Sequence, residues 1–332
     1  MSELQKKKST EKRKRTVGPL LILLAACFWG SMGIFVRGLT DAFGFSPIQI
    51  VTIRLTAAAA IFCLLLLVKD RSGFRIALRD LPLFFGLAFG SVLLFTVCYF
   101  SAITMMPLSA AAILLYTSPI WIMLMSVLFF HEKLSGRKLL ALALAFAGCV
   151  LVSGVSGEGI TLTGLLFGLG SRIGYGLYSI LGTVALRRYS PYTVTAYTFL
   201  FASVGACLIC RPADMIAKFA RADYTPQAVL LCCLTPIVTA VIPFLLYTLG
   251  LRTVEASRAG ILATLEPVVA TVIGVLCFSE TPTLRAGLGI LLVLSAVVLL
   301  NWRAQLSAPA DTDPANGCPE PPSGCEEGRS ED

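Results

Sequence analysis

The chain has 332 residues, of which 56% are hydrophobic and only 14% are charged, against about 25% charged in ordinary soluble domains. That much apolar surface excludes a soluble globular protein and points to lipid as the solvent. The net charge of +8 lies in tails and short loops between apolar runs, which argues against a nucleic-acid surface.

The first sixteen residues are polar and basic, with "KKKSTEKRKR" at their centre. The apolar run that follows is too long for a signal-peptide core and shows no small-residue cleavage site, so it reads as a retained first span. Ten apolar runs follow in order, at about 18–37, 47–68, 81–103, 107–130, 138–155, 163–186, 191–210, 226–250, 256–278 and 283–301. Each is long enough to cross about 30 Å of hydrocarbon at 1.5 Å per residue with some tilt. The expected fold class is therefore an all-α integral membrane protein of ten transmembrane helices. With the N-terminus inside, twenty Lys and Arg fall on the inner side and five on the outer. The positive-inside rule then puts both termini in the cytoplasm, with the plasma membrane as the expected location. The outer loop "RPADMIAKFARADYTP" carries three basic residues and reads as a short amphipathic segment lying on the membrane. Residues 304–332 are rich in Pro, Ser, Gly and acid, lack apolar periodicity and read as a disordered acidic cytoplasmic tail.

Nine of the eleven cysteines lie in apolar runs, where Cys behaves as a small hydrophobe. Their spacing suggests neither a disulfide framework nor a zinc site, and the single histidine, His131, sits at the end of a run. No metal and no cofactor are expected, which leaves a proton or another ion as the possible coupling species.

The chain repeats itself. Advancing residues 109–151 by 148 positions lays them on 257–299 with 14 identities in 43 and no gap. The matches include Pro119 with Pro267, Glu132 with Glu280 and Arg137 with Arg285, which general resemblance among apolar helices does not produce. The first spans of each half correspond loosely, each followed by a Ser-Pro pair, Ser46-Pro47 and Ser190-Pro191. The domain organisation is therefore a basic N-tail (1–17), a first five-helix repeat (18–155), a second (156–303) and the tail (304–332). An odd number of spans per repeat forces the second copy to insert upside down. Such inverted repeats support alternating access around a midplane site.

The stretches "SPIWIMLMSVLFFHEKLSGRKLLALALAFAGCVLV" and "LEPVVATVIGVLCFSETPTLRAGLGILLVLSAVVL" resemble the EamA-like branch of the drug/metabolite transporter superfamily. So does the Pro-to-Glu pattern that ends each half, and Arg54 in "TIRLTAAAA" resembles a second-span arginine common there. The resemblance covers about residues 18–301. It implies a secondary carrier of small metabolites with a cavity open to one side at a time, and it names no substrate.

Three ionisable residues lie inside the predicted spans: Arg54, Arg172 and Glu266. Such groups are costly in hydrocarbon and normally face the bundle interior, a water-filled cavity or one another. Glu266 and Arg172 fall near the midplane, whereas Arg54 lies close enough to the outer edge to reach toward the headgroups. Glu266 reads either as a buried carboxylate bonded to a neighbouring helix or as a protonatable group or amine contact. Arg172 reads as a contact for a substrate carboxylate or as a partner for Glu266. Trp29, Tyr99, Tyr116, Tyr175 and Tyr247 fall within spans and either line a cavity or pack. Pro119 and Pro267 are expected to kink their helices, because each lacks an N–H for the carbonyl one turn back.

The residues lack the paired aspartates, H-E-x-x-H or G-x-S-x-G patterns of intramembrane enzymes. No enzymatic activity is expected, and a channel fits the repeat less well than a carrier. The expected function is transport of a small metabolite, an amino acid or related compound, with export as the direction. A multidrug or organic-cation exporter is the alternative. The expected partners are a small-molecule substrate and the bilayer. One chain suffices, and a dimer is compatible with the sequence.

Overall fold

The computed structural model describes residues 3–69, 71–105, 114–153, 161–210, 212–221, 226–278 and 283–302. Among these residues there is no strand. The helices are α1 (Glu3–Gly30), α2 (Met32–Phe43), α3 (Pro47–Lys69), α4 (Leu81–Phe85), α5 (Leu94–Met105), α6 (Ser118–Phe130) and α7 (Gly136–Ser153) in the first half. The second half holds α8 (Leu162–Ala185), α9 (Pro191–Ile209), α10 (Pro212–Arg221), α11 (Pro226–Pro236), α12 (Ile242–Leu251), α13 (Ala256–Leu262), α14 (Leu265–Phe278) and α15 (Leu284–Trp302).

Helix occupies every one of the ten predicted runs. Among the described residues, six segments are both long and apolar enough to cross a membrane: Val17–Phe43, Pro47–Lys69, Leu78–Tyr99, Pro191–Ile209, Val229–Leu251 and Ala256–Cys277. Large apolar side chains point away from the protein along these and neighbouring helices, with Leu208 81% and Leu276 77% exposed. In water such a surface would aggregate, whereas acyl chains cover it without cost.

Two boundaries differ from the sequence reading. Helix α1 begins at Glu3, well before its apolar part, because Lys, Arg, Glu and Gln are good helix formers and nothing interrupts them before Gly18. The first span also continues past residue 37, through a turn at Ser31, until Gly44 ends α2 with φ +61 and its N–H on Thr40 O. The predicted surface segment of the outer loop forms α10, whose Lys218 Nζ donates to Gly44 O at 2.6 Å and Gln49 Oε1 at 2.9 Å. The acidic tail lies outside the described residues.

Helix packing repeats when the two halves are exchanged. α5 packs on α8 as α12 packs on α1, and α6 packs on α8 as α14 packs on α1. The pairs α3 with α9 and α7 with α15 map onto themselves. The sequence offset of 148 also extends to irregular backbone. A π-helical segment spans Gly86–Leu93 in the first half and Ile237–Val241 in the second, and 86–93 advanced by 148 is 234–241.

The closest backbone approach joins the last helices of the halves. A Cβ on Gly148 would lie 2.6 Å from Gly289 O, and one on Gly289 would lie 2.5 Å from Gly148 O. Arg137 Nη2 donates to Leu300 O at 2.9 Å along the same contact. Gly148→Ala is therefore expected to force α7 and α15 apart and cost about 1–3 kcal/mol, read as a lower unfolding temperature in detergent. Gly287→Ala, where a Cβ meets nothing within 4 Å, is expected to leave that temperature unchanged.

Candidate functional site

Both prolines singled out in the sequence sit where a helix breaks. α6 is preceded by a turn at Tyr116-Thr117, and α13 is separated from α14 by a turn at Ala263-Thr264. Advancing the first turn by 148 gives 264–265, so the breaks coincide to within one residue. The expected kinks are full breaks, because each proline stands in the first turn of a new helix, where its missing N–H costs nothing. Local donors take the carbonyls left behind. Leu115 O accepts from Ser118 Oγ, and Leu114 O accepts from Thr117 Oγ1 at 2.7 Å. Ala263 O accepts from Glu266 N at 3.1 Å, and Ile261 O accepts from Thr264 Oγ1 at 2.6 Å.

The second break holds Glu266 at the wall of a cavity of about 460 Å³ between the halves. Gly30 packs on Glu266's own carbonyl, so closely that a Cβ there would lie 2.6 Å from the oxygen. The carboxylate is half-buried and has no hydrogen bond or ion pair among the described residues. Arg172 and Arg54 are the positive charges whose field acts on it.

Arg54 is the other charged side chain of the cavity wall. It does not turn toward the headgroups, as its position near the end of α3 suggested. Pro243 has no N–H to offer the carbonyl four residues back, which belongs to Thr239. Arg54 Nη2 donates to that carbonyl at 2.9 Å, and an interior acceptor therefore outcompetes the interface. Arg54 Nε is buried without a partner.

Eight aromatic side chains share the remaining wall with aliphatic groups and a few hydroxyls. Trp29 sits 5.3 Å from both Phe244 and Tyr247 and 6.4 Å from Tyr175, between ring centroids. Phe95 stacks on Tyr99 at 5.7 Å and meets Tyr175 edge-on at 5.8 Å. Two hydroxyls tie α8 to α12: Tyr247 Oη pairs with Ser179 Oγ and Tyr178 Oη with Thr248 Oγ1, both at 2.8 Å. These bonds satisfy buried phenols that would otherwise oppose packing.

The structure thus brings Glu266, Trp29, Tyr99, Tyr175 and Tyr247 together around one cavity. Arg172 and Tyr116 are not part of the wall. Tyr116 packs on the Cys149, Val268 and Val293 cluster. Arg172 is fully buried and bonds within its own helix, through Nε to Gly168 O at 3.1 Å and through Nε and Nη2 to Ser171 Oγ. Its guanidinium lies 5.7 Å from the Phe95 ring and 5.5 Å from the Tyr99 ring, behind that part of the wall. Sequence reasoning undervalued Arg54 and missed Phe95, Tyr178 and Phe244. Pro243, four residues after Thr239, is the one signal that could have found Arg54's acceptor.

Two polar clusters lie outside the cavity wall. Asp80 accepts from Arg188 Nη1 at 2.7 Å and Tyr189 Oη at 2.6 Å. Lys138 Nζ lies 2.6 Å from Glu255 and 3.4 Å from Glu132, which also accepts from Ser257 Oγ. Glu132 follows His131, which ends α6 in the left-handed conformation with φ 52.

The chain is similar to proteins named as transporters over most of its length. The model of the EamA-like transporter family matches twice, over residues 16–154 and 162–302. An uncharacterized transporter of Archaeoglobus fulgidus is 30% identical, over 86% of this chain and 96% of its own length. Uncharacterized transporter YxxF of Bacillus subtilis is 24% identical, over 91% of this chain and 95% of its own. A crystal structure of a protein that is 18% identical aligns with TM-score 0.73 over 88% of this chain and 98% of that one, which shows a shared fold. Two successive family matches, the repeated helix packing and the apolar outward faces lead to one conclusion: this chain is a multi-pass membrane protein and a member of the EamA-like transporter family.

Proposed function

We propose that the chain is a secondary carrier that moves a small metabolite, an amino acid or related compound, across the plasma membrane by alternating access, with export as its direction. It crosses the membrane ten times, as two inverted five-helix halves with both termini in the cytoplasm. The observation that carries this is the 460 Å³ cavity between the halves, with Glu266 unpaired on its wall at one of two repeat-related helix breaks. Discontinuous helices at matching positions of two repeats are where secondary transporters bind substrates and coupling ions. A carboxylate there can take a proton or a substrate ammonium.

In this orientation the Asp80 and Lys138 clusters lie at the cytoplasmic end. The cavity wall runs the other way, through Val36 to Pro47. That supports an outward-facing state whose inner end is held shut by polar contacts between the halves. An organic-cation or multidrug exporter is the second reading, favoured by the aromatic rings around a lone carboxylate.

Two outcomes are expected. In proteoliposomes on solid-supported membranes, wild type should give substrate-dependent charge movement with a panel of amino acids, organic acids and organic cations, and Glu266→Gln should abolish it. Equal currents from both proteins would leave Glu266 a packing role. Lys138→Met should loosen the inner end, because it removes two ion pairs of limited depth worth about 0.5–1 kcal/mol. Amide exchange over Ala256–Leu262 should then run about two- to fivefold faster, while exchange in α9 stays unchanged.

A further inference from the structure

The charge pattern of the wall deepens the reading of the chain as a carrier, on which this inference rests. Among the wall residues two side chains carry charge, Glu266 and Arg54, one from each half. The rest of the wall offers rings, aliphatic groups and a few hydroxyls. A cavity for organic cations needs only the carboxylate and the rings, and a guanidinium in the same space works against it.

Arg54 is already committed at one nitrogen. Its Nη2 is held by Thr239 O at 2.9 Å, the carbonyl that Pro243 leaves open. The bond fixes the planar group at the wall before any ligand arrives, so less conformational freedom is lost on binding. Its Nε is buried and has no partner, so the guanidinium at the cavity wall carries charge that its own surroundings do not answer, and an anion in the cavity stabilises that charge. Arg172, the alternative cation, is fully buried and lies behind Phe95 and Tyr99, bonded to its own helix.

We propose that Arg54 is the specificity-determining residue of the cavity: it binds the carboxylate of a substrate whose ammonium faces Glu266, and so selects zwitterions over organic cations. Thr239 O holds the guanidinium in place for this task. The rings of Trp29, Phe95 and Tyr175 receive the apolar body of the substrate.

Three probes that share one body and differ in charge test the assignment: L-phenylalanine, 2-phenylethylamine without the carboxylate, and 3-phenylpropionate without the ammonium. Binding to the purified full chain is read by quenching of tryptophan fluorescence, and transport by charge movement in proteoliposomes. Wild type should prefer L-phenylalanine to 2-phenylethylamine. Arg54→Gln should weaken L-phenylalanine and 3-phenylpropionate by about ten- to a hundredfold, the loss of one charged hydrogen bond, and leave 2-phenylethylamine unchanged or tighter. Arg54→Lys should recover part of the carboxylate preference.

A brace that only satisfies Thr239 O would lower the unfolding temperature of Arg54→Gln and leave the ranking of the probes as in wild type, which overturns the proposal. A wild type that answers the carboxylates no better than the amine overturns it too. Ranked binding without any charge movement or isotope uptake would sink the carrier reading and leave the role of Arg54 standing.

Discussion

The constraint on which the rest depends is that lipid supplies no hydrogen bond. Every carbonyl that loses its helical N–H must find another donor within the protein. Each proline in α6, α12 and α14 creates such a carbonyl, and each is answered by a different kind of donor. Ser118 supplies a hydroxyl, Glu266 a backbone N–H, and Arg54 a guanidinium carried from the other half. The last two place the charged residues of the cavity wall. The site therefore exists where the helices fail, and the chemistry available to it comes from the repairs.

Hydroxyls serve the same constraint elsewhere. Thr52, Thr96, Thr195, Thr235 and Thr239 each donate to the carbonyl four residues back. Such bonds bury polar atoms without a partner helix and tend to bend the helix that makes them. Thr235 lies just before the π segment Ile237–Val241 and Thr239 lies within it, so irregular backbone, proline and back-bonding hydroxyls all gather at one level of that helix.

Much of the fold was legible because membrane segments must be apolar throughout, and because the repeat preserved its Pro and Glu landmarks. The all-helical architecture, the break positions and the amphipathic helix Pro212–Arg221 follow from those patterns. The π segments did not, since Gly86–Leu93 reads like any other apolar stretch and only its backbone hydrogen bonds, such as Leu94 N–H to Phe89 O, set it apart. Glu266 stood out because a lone carboxylate in apolar surroundings has few explanations. Arg54 and Arg172 were ranked by depth along a helix, which ignores rotation about it. Arg172 points behind the aromatic wall, and Arg54 points into the cavity. Periodicity alone could not decide this in helices that are apolar on every side.

The contact of Gly148 with Gly289 has a mechanical consequence. Two backbones that touch at glycines, with no side chain between them, can turn on one another through small angles but cannot part without exposing peptide groups to lipid. In a carrier whose halves rock, such a contact behaves as a fulcrum. Rotation about it gives wide travel to α3, which bears Arg54, and little to α14, which packs against the fulcrum and bears Glu266.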